Sequence, residues 1–429
     1  MKSIATLLLS LFVGLNTSLA GEFLQTQKSA KFKYDVSSST LINIKAKNTI
    51  LEIESHTGAY VEFEAILEFK GEANDEMLDF LDNYEARVKE GVAVFGDELG
   101  ITSDLKIPNK REQIGLIIGY KDDELRMTYR LKVPRNNAIE IKSSYRDMTM
   151  KGAYTGPVVI DHYSGEIEAG SFDKLELKLK YGQSRFESIG MLKVELYEEE
   201  FKANEVKAVK GVTKYSDVDF GHVGIVELES YEDNLSAEEV ASISGVYKYG
   251  EMRVSGGIDK LSLTSYEWQL ESNNIEECIL NESKYSRFKS TQVGKMRFVD
   301  AYEDRIEVER LGSLDFIGKY VELNIGTLQE SLKVDGYETD VELDNIGSDA
   351  NEIFLDGKYN KLKLNLDGTS IALDAKVKYG NFDYDKSAFD VVRHIRDGSE
   401  LEIEMSSVQL GSNETKVVIR GYEIDVDIN

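Results

Sequence analysis

The sequence predicts a mainly β protein: a parallel β-solenoid of ~17–18-residue coils, preceded by a small α+β segment with one helix. Three observations predict it. Tyrosines recur at 145, 163, 181, 197, 215, 231, 249, 266, 285, 302, 320 and 337, with a mean step of about 17.5 residues. Between them apolar residues alternate with polar ones, the period of a strand. Proline is absent after Pro157, as expected where backbone N–H groups all join ladders.

The 429-residue chain begins with a pattern of export. Lys2 supplies a positive start, Ile4 to Leu15 a short apolar run, and Ser18-Leu19-Ala20 a small-x-small site, so residues 1–20 read as a cleaved signal peptide. The apolar run is shorter than the roughly 20 residues that span a bilayer. No later segment is apolar enough to span, so no transmembrane segment is expected after cleavage.

Residues 21–133 read as the α+β segment. Ile50–Ile53 and the alternating Val61, Phe63, Ala65 and Leu67 give two strands around a turn at His56-Thr57-Gly58. Met77, Leu81, Tyr84 and Val88 fall on one face of a helix that Asn74 can cap, with Asp75 and Glu76 in its first turn. Strands return at Gln113–Tyr120 and Leu125–Val133, and Pro134 marks a boundary.

Residues 134–386 carry the tyrosine repeat, and its tyrosines fall into two alternating classes. Lys precedes Tyr181, Tyr215, Tyr249, Tyr285 and Tyr320, whereas Glu follows Tyr197, Tyr231, Tyr266, Tyr302 and Tyr337. The next inward residue comes about three places after the first class and four after the second, which suggests two different corners, one of them bulged. Further corners are expected near Gly190, Gly257 and Gly294. An antiparallel meander also fits, but near-identical corners at one spacing favour stacked coils. About fourteen coils would rise roughly 65 Å. Residues 387–429 read as strands that continue or cap the solenoid, because an open end invites edge pairing.

These residues resemble a known family. Phe32-Lys33-Tyr34-Asp35-Val36, the strand pair, the amphipathic helix and the Lys-Tyr-Gly/Ser coils are similar to the bacterial putative-adhesin (head-GIN-type) β-strand-repeat family of exported Bacteroidota proteins. Tyr163-Ser164-Gly165-Glu166-Ile167 resembles its Ser-Gly-Asp-Ile repeat core. The resemblance covers roughly residues 30–385. It implies a right-handed coil, an envelope location in the periplasm or on the outer cell surface, and no catalytic residues.

Composition narrows the function. Acidic residues outnumber basic ones by 78 to 51, a net charge of −27, so a nucleic-acid partner is not expected. A single cysteine, Cys278, permits no internal disulfide and no thiolate cage. The four histidines are dispersed, and each is expected at a surface or turn. No nucleophile elbow, zinc-protease, Walker or dinucleotide motif is present, so no catalytic residue, cofactor or metal site is assigned. Acidic runs such as Glu198-Glu199-Glu200 read as a solvated face, with opposite charges neutralising one another across rungs.

The expected function is a non-enzymatic envelope protein, an adhesin-like scaffold or interaction module whose partner is an envelope protein or an extracellular glycan. The alternative is a carbohydrate-binding or polysaccharide-acting β-helix. The candidate ligand-contact stripe is Tyr181, Tyr215, Tyr249, Tyr285 and Tyr320. Its rings either stack on a ligand or simply fill corners and hold register.

Overall fold

Inward apolar and outward polar residues alternate along each arm of a coil, and that alternation makes the core. In strand Glu166–Lys180 the buried side chains are Ile167, Ala169, Phe172, Leu175, Leu177 and Leu179. The strand pairs in parallel with Gln183–Tyr197, Glu166 facing Gln183 and Lys180 facing Tyr197. The computed structural model describes residues 23–429 apart from 110, 114, 115, 119, 367 and 409–413. The expected signal peptide lies outside the described residues. The fold is a mainly β solenoid of about 13 turns with coils about 18 residues apart, behind an α+β segment.

The chain divides into two compact units, one ending at Lys210 and one beginning at Gly211. In the first, strand Phe23–Asp35 runs antiparallel to Tyr60–Glu72, which runs antiparallel to Leu125–Pro134. Leu125–Pro134 pairs in parallel with Thr49–His56, and that strand pairs in parallel with Met148–Lys151 of the first coil. The head sheet therefore continues by backbone hydrogen bonds into the coils of its own unit.

The single helix expected near residue 77 is two short ones, α1 (Asp75–Asp82) and α2 (Tyr84–Glu90). Asn83 separates them at φ −100°, ψ 13°, and its Nδ2 donates to Asp79 O at 3.0 Å. That bond competes with helical continuation. The expected cap holds: Asn74 Oδ1 accepts from Met77 N at 2.8 Å. Met77, Leu81, Tyr84 and Val88 are all buried. Of Gln113–Tyr120, the described part contributes to a small hairpin, Arg111–Gln113 against Leu116–Ile118.

In the second unit the coils stack sequentially as far as Lys358, and then the order changes. Strand Glu414–Tyr422 lies between Glu352–Lys358 and Ser370–Lys378, in parallel with both. Asp425–Ile428 likewise lies between Lys361–Leu364 and Asn381–Tyr384. The last coil is thus inserted between two that precede it in sequence. Strands Phe389–Asp397 and Glu400–Ser407 form an antiparallel pair beside it.

Candidate functional site

Every coil closes on a residue in the left-handed region, and only the residue type alternates. In one class it is the tyrosine: Tyr181, Tyr215, Tyr249, Tyr285 and Tyr320 have φ of 55° to 62°. In the other it is the following glutamate: Glu198, Glu232, Glu267, Glu303 and Glu338 have φ of 48° to 54°. The two corners expected from sequence are therefore one backbone corner, and the tyrosine shifts by one residue relative to it. This explains the uneven tyrosine steps, because Tyr181, Glu198, Tyr215, Glu232 and Tyr249 are each 17 residues apart.

The offset shapes the aromatic surface. Tyr197 sits opposite Lys180, and Tyr181 lies one step further on. Successive rings therefore zigzag and meet edge to face. In the second unit, from Tyr215 to Tyr337, centroids are 5.2 to 5.6 Å apart and planes 68° to 76° apart. Tyr145, Tyr163, Tyr181 and Tyr197 repeat the geometry in the first unit. This orientation suits the ring quadrupole. The five tyrosines singled out from sequence are 40% to 43% exposed, so each ring both packs on its neighbours and faces solvent.

Behind the rings is a polar seam that sequence reading missed. The residue after each left-handed one points inward, and where it is acid or amide it accepts a backbone N–H from the neighbouring coil. Glu199 Oε2 accepts from Gly182 N at 2.9 Å, Asp304 Oδ1 from Ser286 N at 2.7 Å, and Asn360 Oδ1 from Thr339 N at 3.0 Å. Asp233 is fully engaged, taking Thr213 Oγ1 (2.6 Å), Ser230 Oγ (2.7 Å), Ser216 N (2.8 Å) and Tyr231 N (3.1 Å). Burial raises all three carboxyls, Glu199 to about 7 and Asp304 to about 6. Their environment is that of a buttress, closed to a substrate. Glu199 is thus a correction to the solvated reading of its acidic run: the coil turns it inward while Glu198 faces out.

Elsewhere opposite charges do meet across rungs, as in Lys193–Glu176 at 3.0 Å and Lys178–Glu195 at 3.3 Å. Three histidines lie at turns or the surface, but His162 is buried, its Nδ1 2.7 Å from Ser143 Oγ. Burial lowers its pKa to about 4, which keeps it neutral. Cys278 is buried, which raises its thiol to about 12. Among the described residues no group of three or more His, Cys, Asp or Glu is placed to hold a metal, and no helix is long and apolar enough to cross a membrane.

A recess lies on the head sheet, a groove of about 880 Å³. Its floor is a set of charged rows, one per strand: Lys31 and Lys33, Glu62 and Glu64, Arg130 and Lys132, Glu52 and Glu54, then Lys151. Lys31–Glu64 (3.1 Å), Lys33–Glu62 (3.3 Å) and Arg130–Glu52 (2.6 Å) pair across strands. With five cations and four carboxylates, the groove departs from the acidity of the chain. Each strand alone shows only ordinary alternation, so the rows emerge once the pairing order is known.

No family model matches the chain, and no curated protein matches it. Two solved structures share some of its arrangement. One is a putative adhesin from Bacteroides fragilis NCTC 9343, 18% identical, covering 57% of this chain and 97% of its own, with a TM-score of 0.30. The other is a putative cell adhesion protein from Clostridium sporogenes ATCC 15579, 9% identical, covering 94% and 99%, with a TM-score of 0.17. The names agree with the family that the sequence resembles. At these TM-scores the likenesses carry no argument about function.

Proposed function

We propose that this chain is an exported, non-enzymatic, adhesin-like β-solenoid that works by presenting its tyrosine corners to a partner in the periplasm or at the outer cell surface. The observation that carries this reading is the uniform exposure of the ladder. Rings at Tyr181, Tyr215, Tyr249, Tyr285 and Tyr320 stand 40% to 43% exposed on a backbone tied on both sides by parallel hydrogen bonds. A rigid row of amphipathic rings contacts a glycan or protein with little loss of side-chain freedom on binding. The signal pattern at residues 1–20 and the family resemblance support export.

Two measurements test it. A protease applied to intact cells should cleave a tag placed in residues 401–429, or should do so once the outer membrane is opened; retention of the tag in the cytoplasm overturns export. In the second, Tyr215, Tyr249 and Tyr285 are replaced together by asparagine, which tolerates the left-handed region. The variant should keep its circular dichroism and lose adhesion to the cell or glycan surfaces that the wild type binds. Undiminished adhesion would exclude the stripe.

A further inference from the structure

The row of residues that follows the corner is broken at one place. Asn234, Glu251, Gln269, Arg287, Arg305 and Glu322 occupy it on six successive coils, each in register with the next. Only the step from Arg287 to Arg305 sets two cations on adjacent rungs, roughly 4.8 Å apart along the ladder. Like charges directly opposite are destabilising. Arg305 is neutralised, its Nε 2.6 Å from Glu307 and its Nη1 3.7 Å from Glu322. Arg287 has no ion-pair partner among the described residues, although the chain carries a net charge of −27. Its neighbour on the other rung is the neutral Gln269.

The adjoining corners complete a recess of about 430 Å³. Tyr285, 43% exposed, lines it, and Glu267 and Glu303 stand at the left-handed positions of the two flanking coils. The cleft thus joins an aromatic platform, an unneutralised guanidinium and two carboxylates that do not reach it. A phosphate monoester dianion carries twice the charge of a uronate, and its phosphate group has no hydroxyl donors to offer those carboxylates. A sugar bearing one carboxylate suits all the parts: its hydroxyls donate to Glu267 and Glu303, its C–H face lies on Tyr285, and its carboxylate takes two parallel hydrogen bonds from Arg287.

We infer that this cleft is a binding site for a uronic acid residue of a glycan. The inference rests on the reading of the corners as a contact surface and gives that surface a ligand class and a location. Repulsion from the rest of the chain is screened beyond roughly 8 Å at about 0.15 M salt, where the site should be measured.

The test titrates the purified full chain with trigalacturonate and with neutral maltotriose, by calorimetry or ligand-observed NMR. Trigalacturonate should bind, with maltotriose at least about tenfold weaker. Arg287→Ala should weaken trigalacturonate by about tenfold or more without lowering the melting temperature, since Arg287 is exposed and has no ion-pair partner among the described residues. Arg253→Ala, which removes a cation already held by Glu251 at 2.6 Å, should change neither ligand. Equal affinity for the two sugars, no binding of trigalacturonate, or full affinity in Arg287→Ala would each overturn the inference. The contact-surface reading stands or falls separately, on the adhesion of the triple asparagine variant.

Discussion

Asp233 reaches back one coil, where its Oδ1 accepts the backbone N–H of Ser216 at 2.8 Å. Glu199 makes the same reach to Gly182 in the first unit. In both, a corner N–H is satisfied by a side chain from the next coil, at the cost of burying a carboxyl.

That cost makes stability depend on pH. Burial raises Glu199 from 4.5 to about 7 and Asp304 from 3.8 to about 6. Between the unfolded and folded pKa the folded chain holds more protons, so stability falls as pH rises through this window, from about 4 to about 7. Glu199→Gln keeps an acceptor and removes the charge. It should match the wild type in urea melts at pH 4 and exceed it at pH 8 by on the order of 2 kcal/mol. A variant weaker than wild type at both pH values would show that the carboxylate itself is favourable there.

The left-handed tyrosines invert the usual ranking of small residues. Tyr249→Ala loses two edge-to-face contacts, with Tyr231 and Tyr266, and keeps a Cβ at φ 58°. We expect a loss of about 1–3 kcal/mol. Tyr249→Gly loses the same rings but relieves the backbone, and should be the more stable of the two by about 1 kcal/mol. Paired urea titrations decide it, and alanine equal to or better than glycine would contradict the strained corner.

Gly357 is a backbone requirement. Its φ is +133°, and a Cβ there would overlap the carbonyl oxygen of Gly336 on the adjacent coil. Gly357→Ala should cost more than about 3 kcal/mol or prevent folding. Gly96→Ala has φ +61° and open space around it, so it should cost only about 1 kcal/mol. Similar melting temperatures for the two variants would refute the crowding.

Cys278 should be silent to thiol reagents in the folded chain. It is 1% exposed and its thiol is raised to about 12 by burial. Reaction with a disulfide reagent should occur only with unfolding, at a rate that follows the denaturant. Fast labelling under native conditions would mean that this coil opens locally.

The coil length was legible because tyrosine marks each corner, and the head strands were legible from Val61, Phe63, Ala65 and Leu67. Local signals stopped there. Asn83 divides the helix by one competing side-chain bond, which periodicity does not register. Among the mid-coil glycines, Gly190 and Gly294 do crowd a neighbouring carbonyl, but at the pair Gly256-Gly257 the crowded one is Gly256. The insertion of Glu414–Tyr422 between earlier strands is a non-local pairing, and its alternation looks like that of any other coil. Glu199 was hidden in a run of three acids, since only the backbone corner decides which of them turns inward. The head groove was invisible because its charges lie on five strands far apart in sequence.

The two kinds of corner alternate from Tyr145 to Glu338, with Ser164 in the place of a glutamate after Tyr163. The alternation survives the change of chain order, because Glu423 stands between Tyr359 and Tyr379 in space. Parity is therefore a property of the stack rather than of the sequence order. Duplicating or deleting one coil would set two corners of the same kind on neighbouring rungs, so that their tyrosine rings lose the offset and meet face to face, a poorer arrangement than edge to face. Such a scaffold can lengthen or shorten only by whole pairs of coils, such as the 34 residues from Tyr181 to Tyr215.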